Sequence, residues 1–201
     1  MKKQKRGARG SPSGRLRIVA GKWRGRLLPV ADSPGLRPTA GRIRETLFNW
    51  LAPVVEGTRC LDLFAGTGAL GLEALSRGAA QTVFVENSGS VVRDLRARID
   101  DLNATGAAVV EADAMAWLKN ETPARFDIVF LDPPFAADQY AELCRLLAER
   151  HWLADGALVY LEQARSQSLP ALPAGWTVSR EQVAGNVRYS LIRTASQGGS
   201  R

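Results

Sequence analysis

The sequence predicts an α/β protein with an open, mostly parallel sheet of seven strands and a small N-terminal β-hairpin extension. From residue 59 onward, apolar runs of strand length alternate with segments of helical periodicity, a pattern typical of parallel strands joined by right-handed helical crossovers. The last two apolar runs are separated only by Ala184-Gly185-Asn186, which predicts a closing hairpin with an antiparallel strand.

Length and composition are those of one globular domain. The chain has 201 residues, of which 45% are hydrophobic and 23% charged. No apolar run approaches the roughly 20 residues needed to cross a bilayer, and none follows the basic start, so we expect a cytoplasmic protein without a signal peptide. Cys60 and Cys144 are far apart and His151 is the single histidine, which predicts reduced, packed cysteines, a structural histidine and no metal site.

Positive charge is concentrated at the N-terminal end. Residues 1–44 carry a net charge of +12 and residues 45–201 carry −5. This asymmetry indicates a polyanionic partner, with nucleic acid ahead of an anionic membrane surface. Residues 1–14 lack apolar periodicity, so we expect a disordered basic tail that either contacts this partner or is only solvated.

Residues 15–52 are predicted to form an RNA-binding extension. Alternating apolar and basic residues predict a hairpin over residues 15–30, followed by a helix from about Ala40 to Leu51 capped by Thr39. Arginines interleaved with a tryptophan suit stacking on RNA bases, although Trp23 could instead pack the hairpin on the main domain. Arg37, Arg42 and Arg44 lie at or near the helix start, where positive charge opposes the helix dipole and does not stabilise the helix. We therefore interpret these arginines as substrate or cofactor contacts. The predicted RNA-binding residues are Arg17, Lys22, Trp23, Arg24, Arg26, Arg37 and Arg42.

Residues 53–195 are predicted to form the main domain, and residues 196–201 a flexible C-terminus. The predicted strands are 59–63, 82–86, 107–111, 126–131 and 157–162, with the closing hairpin at 176–181 and 187–193. The predicted helices are 69–77, 90–103, 113–119 and 137–150.

A glycine-rich loop follows the first strand of this domain. Gly66, Gly68 and Gly71 lie between that strand and a helix, an arrangement in which the backbone turns tightly and helix N–H groups face a ligand. Glu86 ends the next strand, where a carboxylate can accept ribose hydroxyls. The sequence therefore predicts a nucleotide-type cofactor site on a Rossmann-like sheet.

A second motif follows the fourth strand of this domain. Asp132-Pro133-Pro134-Phe135, downstream of the glycine loop, resembles the signature of S-adenosylmethionine enzymes that methylate exocyclic amines. In such a site Asp132 and the Pro133 carbonyl accept hydrogen bonds from the amine, the prolines stiffen the loop, and Phe135 stacks on the base. Asp113 would contact the adenine edge, cap a helix, or do both. The predicted cofactor-binding residues are Asp62, Phe64, Ala65, Gly66, Thr67, Gly68, Glu86, Asn87, Asp113 and Ala114.

Several segments together resemble the bacterial RsmD family over about residues 15–195. The most specific are residues 17–26 (RIVAGKWRGR), 36–39 (LRPT) and 42–51 (RIRETLFNWL), beside the two motifs already described. The resemblance implies a seven-stranded S-adenosylmethionine methyltransferase fold and methylation of the N2 amine of guanine 966 in 16S rRNA. It implies a monomer that acts on the small ribosomal subunit or its assembly intermediate. Gly41 departs from the family pattern, where a polar or acidic residue is frequent.

Three alternatives fit parts of the sequence. A DNA adenine-N6 methyltransferase shares the Asp132 motif, but we find no segment long enough for a separate target-recognition region. A non-catalytic RNA-binding assembly factor would not need Asp62, Glu86 and Asp132. An NAD-linked reductase would leave residues 132–135 unexplained.

Overall fold

The computed structural model describes residues 14–30, 38–133 and 139–195. Predicted features in residues 1–13, 31–37, 134–138 and 196–201 therefore lie outside the described residues, among them Arg37, Pro134 and Phe135. The strands are β1 (Gly14–Arg17), β2 (Leu27–Val30), β3 (Arg59–Asp62), β4 (Gln81–Glu86), β5 (Ala107–Glu111), β6 (Phe126–Leu131), β7 (Leu153–Ala164), β8 (Thr177–Ala184) and β9 (Val187–Arg193). The helices are α1 (Pro38–Leu51), α2 (Ala69–Ser76), α3 (Gly89–Leu102), α4 (Ala114–Asn120) and α5 (Gln139–Glu149).

The central sheet has the seven strands that the sequence predicts. Their order is β5-β4-β3-β6-β7-β9-β8, with β3 to β7 parallel and β9 antiparallel to both of its neighbours. The chain leaves β3 toward β4 and β5 and returns on the other side of β3 as β6. This change of direction opens a crevice at the carboxyl ends of β3 and β6, where α/β sheets bind ligands.

Alternate residues of the parallel strands face two separate helical layers. Leu61, Val129 and Val159 pack with α4 and α5, whereas Cys60 and Ile128 pack with α1. Burial on both faces explains why these strands appear in the sequence as continuous apolar runs. Both cysteines are buried thiols, as predicted, and removal from water raises the pKa of each to about 12.

The N-terminal hairpin is docked on the end of α2. The Lys22 N–H donates to the Ser76 carbonyl (2.6 Å), and the Trp23 N–H donates to Ser76 Oγ (3.0 Å). Gly21 has a φ of +80°, and a Cβ there would lie 1.8 Å from the Ser76 carbonyl oxygen. Only glycine allows this approach, which satisfies a carbonyl at the end of the helix.

A buried carboxylate completes this attachment. Glu73 in α2 is fully buried and accepts from the Val19 N–H (2.8 Å), the Ala20 N–H (3.0 Å) and Arg77 Nε (2.8 Å). Arg44 Nε of α1 lies 3.8 Å from Glu73 Oε2. One side chain thus connects the hairpin, α1 and α2, a role that the sequence analysis did not assign.

One predicted helix cap is wrong and another is confirmed. Helix α1 begins at Pro38, so Thr39 is already helical and is not the cap; proline at a first helical position needs no N–H partner. At α4, the predicted cap Asp113 is confirmed, because its Oδ1 accepts from the Ala116 N–H (2.8 Å). Strand β7 begins four residues earlier than predicted.

Within the described ranges we find no helix with the length and apolarity to span a bilayer.

Candidate active site

A cleft of about 970 Å³ runs along the carboxyl ends of the parallel strands. This volume lies in the upper part of the range for ligand pockets. Within the described part of the chain, five carboxylates line the cleft, and each belongs to a different parallel strand or to the loop just after it. They are Asp62 (β3), Glu86 (β4), Asp113 (β5), Asp132 (β6) and Glu162 (β7).

The glycine loop is held by two of these carboxylates. Asp62 Oδ2 accepts from the Gly71 N–H (3.0 Å), and Glu86 Oε2 accepts from the Gly66 N–H (2.9 Å). Glu86 Oε1 accepts from the Ser88 N–H (2.9 Å). Each carboxylate therefore fixes backbone as well as lining the cleft, and the first turn of α2 follows directly at Ala69.

Two of the three motif glycines serve packing. A Cβ on Gly71 would lie 2.2 Å from the Phe84 ring, and one on Gly68 would lie 2.4 Å from a Leu95 methyl carbon. These close approaches bring α2 against β4 and α3. Gly68 also forms the left-handed turn before α2, and its contact with a cofactor stays a prediction.

Burial shifts the titration of Asp62. The residue is 3% exposed, and removal from water raises the pKa of its carboxyl to about 7, against the lowering effect of the Gly71 N–H; the Glu86 carboxylate raises it further. Burial favours the neutral form of this carboxyl group. A nearby positive charge would stabilise its ionised form. This edge of the cleft is therefore suited to a cationic group.

Asp132 follows β6 directly, as the sequence predicts. Asp132 is exposed along the cleft. Desolvation by the surrounding protein raises the pKa of Asp132 well above its usual range, and the carboxylates of Glu162 and Asp62 raise it further. Pro133 also lines the cleft, and its side chain is buried.

The wall formed by β7 was not predicted as part of the site. Glu162 is half-buried, and Oε2 accepts from the Tyr160 hydroxyl (2.8 Å). The Tyr140 hydroxyl of α5 donates to the main-chain oxygen of Glu162. Part of the signal was present in the sequence, because Glu162 lies near the end of an apolar strand as Asp62 and Glu86 do; the structure adds that this strand neighbours the Asp132 strand.

The predicted cofactor residues are largely brought together. All of them except Gly68 line the cleft, and they share it with Arg44. Arg44 is 8% exposed and donates from a terminal guanidinium nitrogen to the Arg17 carbonyl oxygen (2.5 Å), so it also supports the hairpin. In the described ranges there is no cluster of three side chains suited to a metal ion.

The predicted RNA-binding residues divide into two groups. The side chains of Arg17, Lys22, Arg24, Arg26 and Arg42 are exposed. Trp23 is 8% exposed and packs with Leu16, Ile18 and the helices below the hairpin. Its burial contradicts the predicted stacking on RNA bases and agrees with the alternative that Trp23 packs the hairpin on the main domain.

Comparison with known proteins agrees with this geometry. The family model described as "Conserved hypothetical protein 95" matches residues 16–193. The chain is 51% identical over 191 residues to "Ribosomal RNA small subunit methyltransferase D" of Escherichia coli K12, covering 94% of this chain and 96% of that protein. The protein of the same name from Haemophilus influenzae is 43% identical, with coverage of 90% and 94%. The solved structure of Escherichia coli yhhF superposes with a TM-score of 0.86 at 48% identity, covering 92% of this chain and all of that one. The strand order, the carboxylate-lined cleft and these matches over nearly the whole length place the chain in the bacterial RsmD family.

Proposed function

We propose that this chain transfers the methyl group of S-adenosylmethionine to the N2 amine of guanine 966 in 16S rRNA. The observation that carries the proposal is the cleft into which five adjacent parallel strands each direct one carboxylate. Membership of the RsmD family and the printed names of the relatives support the ribosomal RNA substrate. We include in the proposal a monomeric, metal-independent, cytoplasmic enzyme acting on the small ribosomal subunit or its assembly intermediate.

The cleft has the chemistry that the proposed cofactor needs. S-adenosylmethionine would supply an electrophilic methyl group on a positively charged sulfur, beside an ammonium group. Asp62, whose burial favours a cationic neighbour, would bind the ammonium, and the first turn of α2 would face the carboxylate. Glu86 accepts one backbone N–H at each oxygen, and because a carboxylate offers about four acceptor positions, it can still accept ribose hydroxyls. Asp113 can likewise cap α4 and contact the adenine amine.

Asp132 and Pro133 would prepare the target amine. The lone pair of an exocyclic amine is conjugated into the ring, which makes the nitrogen a weak nucleophile. The Asp132 carboxylate and the Pro133 carbonyl would accept its N–H groups and orient the lone pair toward the methyl carbon. Positive charge grows on this nitrogen during transfer, so Asp132 stabilises the transition state more than the ground state. Phe135 would stack on the base, as proposed from the sequence.

The N-terminal hairpin would bind RNA by charge. Exposed cations lie on the hairpin and on α1, and the hairpin is attached to α2 through Ser76 and Glu73. RNA affinity should therefore fall steeply with salt through counterion release. Removing residues 1–14 should reduce the slope of log affinity against log salt. An unchanged slope and affinity would mean that this tail is only a solvated extension.

Nucleoside mass spectrometry of 16S rRNA tests the proposed reaction. RNA from cells that lack this protein should lose N2-methylguanosine at position 966, and the purified chain with S-adenosylmethionine should restore it. Unchanged methylation in the deleted strain, without activity of the purified chain, would refute the proposal.

Calorimetry tests the cofactor separately. Glu86→Ala should weaken S-adenosylmethionine binding by about 1–3 kcal/mol, because ribose hydroxyls lose a charged acceptor. NAD should not bind. Wild-type affinity in the variant would remove Glu86 from the cofactor site.

A further inference from the structure

Asp132 and Glu162 lie side by side at one level of the cleft. Strands β6 and β7 are parallel, and Leu131 pairs with Leu161 in their register. Asp132 follows Leu131 in the sequence, and Glu162 follows Leu161. Adjacent strands are separated by about 4.8 Å, so the two carboxylates share one wall.

Glu162 is held in place from two directions. The Tyr160 hydroxyl donates to Oε2, and the Tyr140 hydroxyl donates to the main-chain oxygen of the same residue. Both tyrosines are buried. Oε1 has no hydrogen-bond partner among the described residues, while the side chain lines the cleft. One oxygen is thus used to fix the carboxylate, and the other remains as an acceptor.

This wall is rich in acceptors and poor in donors. No ion pair to Asp132 or Glu162 occurs among the residues that the structure describes, and burial raises the pKa of Glu162. Acceptors that face a cleft without a donor cost stability once water is displaced from them, so the arrangement indicates a ligand that presents N–H donors.

We propose that Glu162 is the residue that recognises guanine, accepting the base's N1–H while Asp132 accepts from the N2 amine. The proposal rests on the function proposed above and deepens it. Guanine is the base whose Watson–Crick edge presents a ring N–H next to an exocyclic amine. Adenine and cytosine place a ring-nitrogen lone pair next to their amine, which would face the Glu162 carboxylate and be repelled. Uracil has a ring N–H but no amine to methylate.

The test exchanges matching groups on the protein and the base. The substrates are reconstituted small-subunit particles whose 16S rRNA carries guanine or 2-aminopurine at position 966. 2-Aminopurine keeps the N2 amine but has a lone pair at N1. The full-length proteins are wild type, Glu162→Gln and Glu162→Ala. Asp155→Asn is the matched control, because Asp155 is an exposed carboxylate in the same strand and does not line the cleft. Single-turnover methyl transfer, calorimetric affinity for S-adenosylmethionine and thermal unfolding are measured for each.

We expect wild type and Asp155→Asn to prefer guanine by about 100-fold or more. Glu162→Gln should methylate guanine about 10- to 100-fold more slowly and 2-aminopurine faster than wild type does, because an amide N–H can donate to the N1 lone pair. Glu162→Ala provides neither attraction nor repulsion and should bring the two rates close together. Cofactor affinity should stay within about twofold in all variants.

The possible failures are distinguishable. Wild-type preference in both Glu162 variants would overturn the recognition role, as would an equal loss on both bases. A wild-type protein that methylates neither substrate would refute the proposed function, and the role of Glu162 with it.

Discussion

Replacing Glu73 with alanine removes the carboxylate that attaches the N-terminal hairpin to the sheet domain. The substitution leaves the Val19 and Ala20 N–H groups without their acceptor, and it deprives Arg44 and Arg77 of their shared anion. Loss of one partner from a buried ion pair costs about 3–5 kcal/mol, and each unsatisfied buried donor costs about 1–3 kcal/mol. Relaxation of the hairpin limits the sum, so we expect the free energy of unfolding to fall by about 3–5 kcal/mol.

Urea denaturation measures this loss, and limited proteolysis locates it. The matched control is Glu142→Ala, which removes a partly exposed carboxylate with cationic neighbours at Arg145 and Lys119 and should change stability far less. Cleavage within residues 14–30 should accelerate in Glu73→Ala before the sheet domain unfolds, and RNA affinity should fall with it. The reasoning is refuted if Glu73→Ala is no less stable than Glu142→Ala, or if the hairpin remains equally protected.

Two further substitutions test single features. Asp62→Asn should gain stability relative to wild type as pH rises from about 4 to 7. The pKa of Asp62 is higher in the folded protein, at about 7, than in the unfolded chain, so protonation of Asp62 stabilises wild type at low pH. This stabilisation is fully present below the unfolded pKa and is lost as pH rises through the folded pKa. The difference should approach about 4 kcal/mol above pH 7, and urea denaturation across this range would contradict the assignment if the two curves stayed parallel. Gly41→Ala should stabilise the protein by about 0.5–1 kcal/mol in thermal or urea unfolding, because Gly41 lies inside α1 and an added Cβ meets no atom within 4 Å; a loss of stability would show that the position needs glycine.

The sheet could be predicted because its sequence signals are local. Strands buried on both faces form apolar runs, and the glycine loop and the Asp132 motif each follow such a run, so their side chains had to meet at one edge. The sequence therefore predicted four cleft-lining carboxylates from their positions at or just after strand ends: Asp62, Glu86, Asp113 and Asp132.

The docking of the hairpin could not be predicted in this way. Trp23 lies among basic residues in the sequence, but its burial depends on Ser76 and on helices more than fifty residues away. Glu73 looks like a surface residue of a helix until the hairpin covers it. Glu162 was overlooked because the sequence does not state which strand neighbours β6; the parallel register of β6 and β7 brings it beside Asp132.

The most direct measurement of the proposed catalytic role is single-turnover methyl transfer by Asp132→Ala, with S-adenosylmethionine affinity measured on the same protein. Asp132 follows β6 directly and lies beside Glu162, whereas the predicted cofactor-binding residues belong to β3, β4, β5 and the segments that follow them. We expect cofactor affinity to remain nearly unchanged while methyl transfer falls by on the order of 100-fold or more, as for loss of one preorganised electrostatic group. Asp132→Asn should retain part of the activity, because its amide oxygen still accepts a hydrogen bond. A normal single-turnover rate in Asp132→Ala would contradict the mechanism.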